Sequence, residues 1–246
     1  MKNLKKQLAG FTILLLSIAV LFWYINKSEN QEITNIIETQ SVIENQTPPD
    51  EYVIDQSDFI EGNELIKDIP ESQLSNEEID GLVLMREEEK LARDVYNTLG
   101  EKWGMQIFTN IAKSEQTHTD AIKVLLDRYE IEDPVKDDSV GVFTSFELDE
   151  LYQNLLEQGN LSLLDALTVG AIVEDLDIKD LNELSAKTNN ADIIATYNNL
   201  NKGSRNHLRA FMRLIENNNG SYIPQYISQT EFDDIISSEQ EKGRAR

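Results

Sequence analysis

The chain holds only two histidines, and each falls on the apolar stripe of a helical segment. His118 closes a Glu-x-x-His with Glu115, an i, i+3 pair that faces one way and can grip one ion from a single helix. His207 sits at the corresponding level of another helix, between Leu200 and Phe211. Glu89 and Glu174 interrupt the apolar stripes of two further helices in the same manner. An ionised, unpaired glutamate in an apolar core costs several kcal/mol, so three of them in one core require cations. Cysteine is absent, which excludes thiolate zinc sites, iron–sulfur clusters, disulfides and a cysteine nucleophile. The remaining donors are carboxylate and imidazole, a set suited to iron or manganese.

The elements that must position these residues follow from periodicity. Ser75 with Glu78 is a capping box opening a helix to about Leu99, with the line Leu82, Met85, Glu89, Ala92, Tyr96, Leu99. Glu88 lies on an apolar line of its own (Leu84, Leu91, Val95) and competes with Glu89; Tyr96, two turns on from Glu89 and able to hydrogen-bond a ligated carboxylate, favours Glu89. A second helix carries Phe108, Ile111, Glu115, His118, Ile122, Leu125 and Tyr129. Some thirty residues, from Ile131 to Asn160, then carry a short helix capped by Thr144 with Glu147 and ended by Gly159. The third long helix begins near Ser162 with Leu163, Leu167, Gly170, Glu174, Ile178 and Leu181. A link at Asn189-Asn190 leads to the fourth, with Ile193, Tyr197, Leu200, Ser204, His207, Phe211 and Leu214. Short link, long crossover, short link describes an all-α, ferritin-like four-helix bundle with one long crossover. The tail Tyr222–Ile227 is expected along the bundle, and a short helix near Glu231–Ser237 is capped by Ser228.

The N-terminus reads differently. Leu8 to Ile25 is an 18-residue uncharged stretch, preceded by Lys2, Lys5 and Lys6 and ending in Phe22-Trp23-Tyr24. At 1.5 Å rise it covers about 27 Å, near the hydrocarbon thickness of a bilayer. No small-x-small cleavage site follows it, so residues 1–27 are expected to be an uncleaved, single-pass signal anchor, with the domain on the extracytoplasmic side. Residues 28–70 are rich in acids and amides, include Pro48-Pro49 and read as a disordered linker, with a short helix possible around Asp58–Lys67. The bundle then occupies 71–217 and the tail 218–246.

The formal net charge is −23, and residues 1–27 hold no acid, so every acidic residue falls in the exported part. Such a surface repels phosphate backbones and argues against a nucleic-acid partner. It concentrates cations, though it would equally serve solubility. Gly-x-Ser-x-Gly elbows and phosphate-cradling glycine loops are missing.

Glu89-x6-Tyr96, Glu115-x-x-His118, a long crossover, Glu174 and His207 together resemble the dimetal carboxylate site of the ferritin and rubrerythrin superfamily. More narrowly, Met85-Arg-Glu-Glu-Glu-Lys-Leu-Ala-Arg-Asp-Val-Tyr96, Ile111-Ala-Lys-Ser-Glu-Gln-Thr-His118 and Gly203-Ser-Arg-Asn-His-Leu-Arg-Ala-Phe211 resemble the DUF2202 family, over roughly Leu74–Tyr226. The resemblance implies a site of Glu89, Glu115, His118, Glu174 and His207 for two iron ions, or manganese, with Glu115 as a bridge. It also implies oxidase or peroxide-scavenging chemistry in which Tyr96 tunes or protects the centre, and a possible homodimer. One position departs from the pattern. Where the superfamily has a glutamate three residues before the last histidine, this chain has Ser204. Three glutamates leave two divalent ions short of one negative charge, which a hydroxide, Glu88 or Asp177 would have to supply; otherwise the site holds one ion firmly. The competing expectations are a metal binder without turnover and a structural domain whose site has lapsed. Arg86 and Arg205 lie close enough in sequence to add positive charge unless they point outward.

Overall fold

Two short links and one long one set the topology of the computed structural model, which describes residues 62–243. Among the described residues there are seven helices and no strand: α1 (Gly62–Ile66), α2 (Asn76–Trp103), α3 (Gln106–Arg128), α4 (Phe146–Gly159), α5 (Leu163–Ser185), α6 (Ala191–Asn217) and α7 (Gln229–Ser237). The fold is all-α. None of these helices is long and apolar enough to cross a membrane. The expected anchor, residues 1–27, and most of the expected linker lie outside the described residues.

Helices α2 and α3 form one antiparallel hairpin and α5 and α6 the other. The first turn is sharp because Gly104, at φ 66°, takes the left-handed conformation that ends α2. Ser75 and Glu78 form the reciprocal capping box at the start of α2, with Ser75 Oγ accepting from the Glu78 N–H at 3.2 Å and Glu78 Oε2 accepting from the Ser75 N–H at 2.8 Å. Glu78 Oε1 also accepts from Asn190 Nδ2 at 2.7 Å, which fastens the α5–α6 link to the start of α2. Ser162 and Ser228 cap α5 and α7 as the sequence predicts.

Two details differ from the sequence reading. The cap of α4 is Ser145, whose Oγ accepts from the Leu148 N–H, whereas Thr144 is spent inside the crossover, donating from Oγ1 to the Pro134 carbonyl. Residues 62–70, assigned to the linker, pack on the bundle: Ile66 is buried, and Arg128 donates to the carbonyls of Ile66 and Ile69. Ile66, with Leu65 and Ile69 packed beside it and a guanidinium on the carbonyls behind, holds a segment whose composition is otherwise polar.

The apolar core is in two parts. One gathers Leu91, Val95, Tyr96, Leu99, Phe108, Ile111, Leu167, Phe211 and Ile215, and the other Leu82, Met85, Ile122, Leu125, Leu181, Ile193, Tyr197 and Leu200. Each of the four long helices passes from one cluster to the other, and where it does so it carries the polar residues set out below. The tail packs Tyr222 and Ile227 into the first cluster, and one carboxylate on α5 gathers its polar groups. Buried Asp175 accepts from Tyr222 Oη (2.6 Å) and from the backbone N–H groups of Gln225, Tyr226 and Ile227 (2.6, 3.1 and 2.9 Å).

Candidate metal centre

The polar layer between the two apolar clusters brings together Glu89 from α2, Glu115 and His118 from α3, Glu174 from α5 and His207 from α6. All five are 0–2% exposed. They form two groups that share Glu115: Glu89, Glu115 and His118, and Glu115, Glu174 and His207, each with its donor atoms within 4.8 Å of one another. His118 Nδ1 lies 2.6 Å from Glu115 Oε2 and 3.1 Å from Glu89 Oε2. His207 Nδ1 lies 2.8 Å from Glu115 Oε1 and 3.4 Å from Glu174 Oε2. The two imidazoles stack at 5.6 Å between centroids. Glu115 thus turns one oxygen toward each histidine.

The shell behind these side chains fixes them. His207 Nε2 faces Ser114 Oγ at 3.1 Å, leaving Nδ1 as the nitrogen turned to the carboxylates. Tyr96 donates to Glu174 Oε1 at 2.5 Å and lies 3.3 Å from the Gly170 carbonyl. The His118 ring edge rests on the backbone at Gly203, where a Cβ would come within 2.6 Å of Nε2 and 2.7 Å of Cε1. Any side chain at 203 would evict the imidazole. Glycine in a helix interior costs up to about 1 kcal/mol relative to alanine, and here that cost secures the ring's place.

The donor set fits cations. Glu89 Oε1, Glu115 Oε1 and His207 Nδ1 are buried atoms without a hydrogen-bond partner. Glu115 Oε1 and His207 Nδ1 approach to 2.8 Å but are not aligned for a hydrogen bond, as expected of lone pairs that converge on a third point. Without an ion, protons stand in. Burial lowers His207, but Glu115 and Glu174 outweigh it and push it up to about 9. Burial likewise opposes His118, which Glu115 and Glu89 hold well above the usual histidine range. Burial, only partly offset by His118, pushes the Glu89 carboxyl up to about 7. Glu115 alone goes the other way: burial would raise it, and the two histidines bring it far below the ordinary carboxylate value.

Of the pair that competed on α2, Glu89 joins the cluster. Glu88 is buried as well, faces Asp180 and keeps Oε1 unpartnered. The acidic run after Glu174 is not solvated, since Asp175 and Asp177 are both buried. Arg86 and Arg205 turn away from the centre, Arg86 to Asp133 and the Thr119 carbonyl, Arg205 to Glu241 and Asn201. Sequence reasoning did not single out Ser114 or Gly203. Gly203 had a signal, an isolated glycine inside a helical pattern; Ser114 had none.

Residues 78–239 match the family described as an uncharacterized protein domain, DUF2202. The chain belongs to the DUF2202 family. It is 57% identical over 183 residues to the uncharacterized protein MJ0754 of Methanocaldococcus jannaschii, a match covering 74% of this chain and 99% of that protein. The crystal structure of hypothetical protein MJ0754 from Methanococcus jannaschii DSM 2661 superposes with a TM-score of 0.70 at 58% identity, over 70% of this chain and 99% of the other. The helical domain is therefore a shared fold.

Proposed function

We propose that this DUF2202 domain is a ferritin-like bundle with a non-haem dinuclear carboxylate centre for iron or manganese, held at the extracytoplasmic face of the membrane by residues 1–27, and that its chemistry is reduction of O2 or peroxide. The observation that carries the reading is the shared carboxylate. Glu115 presents Oε2 to His118 at 2.6 Å and Oε1 to His207 at 2.8 Å, so one residue serves two three-ligand groups. Ferrous ions bound there would supply the electrons for reduction of a small oxidant.

The chain's own residues do the rest. Ser114 takes up Nε2 of His207 and so turns Nδ1 to the carboxylates, Gly203 makes room for His118, and Tyr96 orients Glu174 while keeping its phenolic proton, because burial and then Glu174 raise its pKa well above the ordinary value. The near-complete burial of all five donors favours a diatomic or peroxide oxidant over an organic substrate. The same burial favours a second reading, a binding module that retains metal without turnover.

One experiment separates them. The full chain in detergent is loaded anaerobically with Fe2+ and mixed with O2 or H2O2 while ferrous iron is followed. Oxidation many-fold faster than for aqueous Fe2+, and lost in Glu115→Gln, is expected; a rate equal to that of free ion, with metal still bound, leaves the retention reading.

A further inference from the structure

Two divalent ions bring four positive charges into this layer, and Glu89, Glu115 and Glu174 return three. A buried site that is not neutralised carries a large electrostatic cost. The layer holds further buried acids, and one is placed to act. Asp177 lies one turn beyond Glu174 on α5, on the same face. It is 5% exposed, and its Oδ1 has no partner. Its Oδ2 accepts the hydroxyl hydrogen of Ser204, a fully buried residue one turn before His207 on α6, whose Oγ also lies 3.1 Å from the Leu200 carbonyl.

Register places Asp177 at the level of the centre. Gly81 of α2 packs on Leu184 of α5, and Tyr96 of α2 lies against Gly170, so residues 88 and 89, midway between, are level with residue 177. Glu89 belongs to one three-ligand group and Glu174 to the other. Asp177 shares the face of Glu174 and the level of Glu89, with one oxygen held by Ser204 and the other without a partner, although it is not itself a member of either group. Glu115 comes to the centre from α3, whereas Asp177 lies on α5.

We propose that Asp177 is the fourth carboxylate of the dinuclear centre, binding from α5, with Ser204 as the positioning residue that holds one of its oxygens and leaves the other to bind. The proposal rests on the dinuclear reading above and adds to it the residue that neutralises the second ion. Glu88 is the rival. It is buried with an unpartnered oxygen too, but its carboxyl faces Asp180, and Glu89 next to it is the one that belongs to a three-ligand group.

The test is an anaerobic Mn2+ titration of the full chain in detergent, read by free-ion EPR and by the signal of an exchange-coupled pair. Wild type is expected to bind two Mn2+ per chain. Asp177→Asn should keep the first ion at unchanged affinity, weaken the second by about 100-fold and lose the coupled signal. Ser204→Ala should weaken the second by about 10-fold, the lower end of what loss of a supporting hydrogen bond costs a metal site, and Glu88→Gln should keep both. Melting of the metal-free proteins checks folding, and a purely structural Asp177 would leave the ratio of the two affinities untouched. If Asp177→Asn unfolds, the Ser204→Ala ratio decides. Two ions bound by Asp177→Asn within twofold of wild-type affinity, or loss of the second ion in Glu88→Gln instead, overturns the proposal and leaves the dinuclear reading standing. Fewer than two ions in wild type overturns both.

Discussion

Two faces of α2 bury charge in opposite ways. On the face toward the crossover every acid meets a protein cation or N–H group. Lys90 and Asp94 pair at 2.5 Å with neither exposed, and Lys90 also donates to the Ser139 carbonyl. Arg93 reaches Asp94 and Asp138, Arg86 reaches Asp133, and Glu87 accepts from the backbone N–H groups of Thr144 and Ser145. On the inward face Glu89 meets His118 and a second carboxylate, and keeps an oxygen with nothing to accept. Glu87, Glu88 and Glu89 are consecutive and all buried, so burial alone does not mark a binding group. What marks it is an excess of acceptors over donors. The crossover face is complete in itself, whereas the inward face is complete only with cations.

The comparison breaks first at Lys90. Lys90→Met takes from Asp94 its 2.5 Å partner in a sealed site but leaves it Arg93 and the Gly141 N–H. Breaking a buried pair costs about 3–5 kcal/mol, and the retained cation sets the expected loss at the lower end. Unfolding free energies from denaturant curves should fall by that amount equally with and without Mn2+. A loss confined to the metal-loaded protein would contradict the division between the two faces.

The inward face makes the reverse prediction. At a free Mn2+ concentration 100 times its Kd, mass action stabilises the wild type by about 2.7 kcal/mol. The double variant Glu115→Gln, His118→Ala should lose that gain. An equal gain in the variant would mean that the ions sit elsewhere, and no gain in the wild type would leave a structural domain with a lapsed site.

Proton linkage sharpens the contrast. His207, raised from 6.5 to about 9, contributes stability that is fully present below 6.5 and is lost as pH rises through 9. Glu89, raised from 4.5 to about 7, acts in the same direction over its own interval. Glu115, lowered, stabilises above 4.5 and matters only in acid. Metal-free protein should therefore melt at lower temperature at pH 8.5 than at pH 5.5, while the rise in Tm on adding Mn2+ should grow, because the ion displaces protons. A metal-free Tm that climbs over this range would show that the cluster is not held together by protons.

The smallest effect is expected at Tyr96. Tyr96→Phe removes one hydrogen bond to a charged acceptor, roughly 1.5 kcal/mol, and frees Glu174 Oε1 to turn. Metal affinity should fall by less than it does in the Glu115 and His118 variant, with the melting of the metal-free form showing the direct cost.

Much of this was legible in the sequence. The i, i+3 spacing of Glu115 and His118, and the apolar residues flanking Glu89, Glu174 and His207, predict their convergence because helical period alone decides which residues share a face. Ser75, Ser162 and Ser228 announce helix starts through local chemistry. The pairing of Ser204 with Asp177 joins two helices 27 residues apart in sequence and has no local signature. Glu88, which the sequence also set on an apolar line, is buried as that line implies, but period alone could not decide which of two adjacent acids joins the cluster. Thr144 lost the capping role to Ser145 for a similar reason: the crossover's own turns claimed its hydroxyl. The packing of residues 62–70 depends on Ile66 and Arg128, whose meeting no composition reveals.

The division of the core has a mechanical meaning. Two oily blocks, each too small to be a domain, are joined through a belt of buried carboxylates and imidazoles. Empty of ions, that belt is a seam, and amide exchange should open there before either block frays. Filled, it becomes a rivet through all four long helices, so that loss of metal would loosen the middle of the molecule rather than its ends.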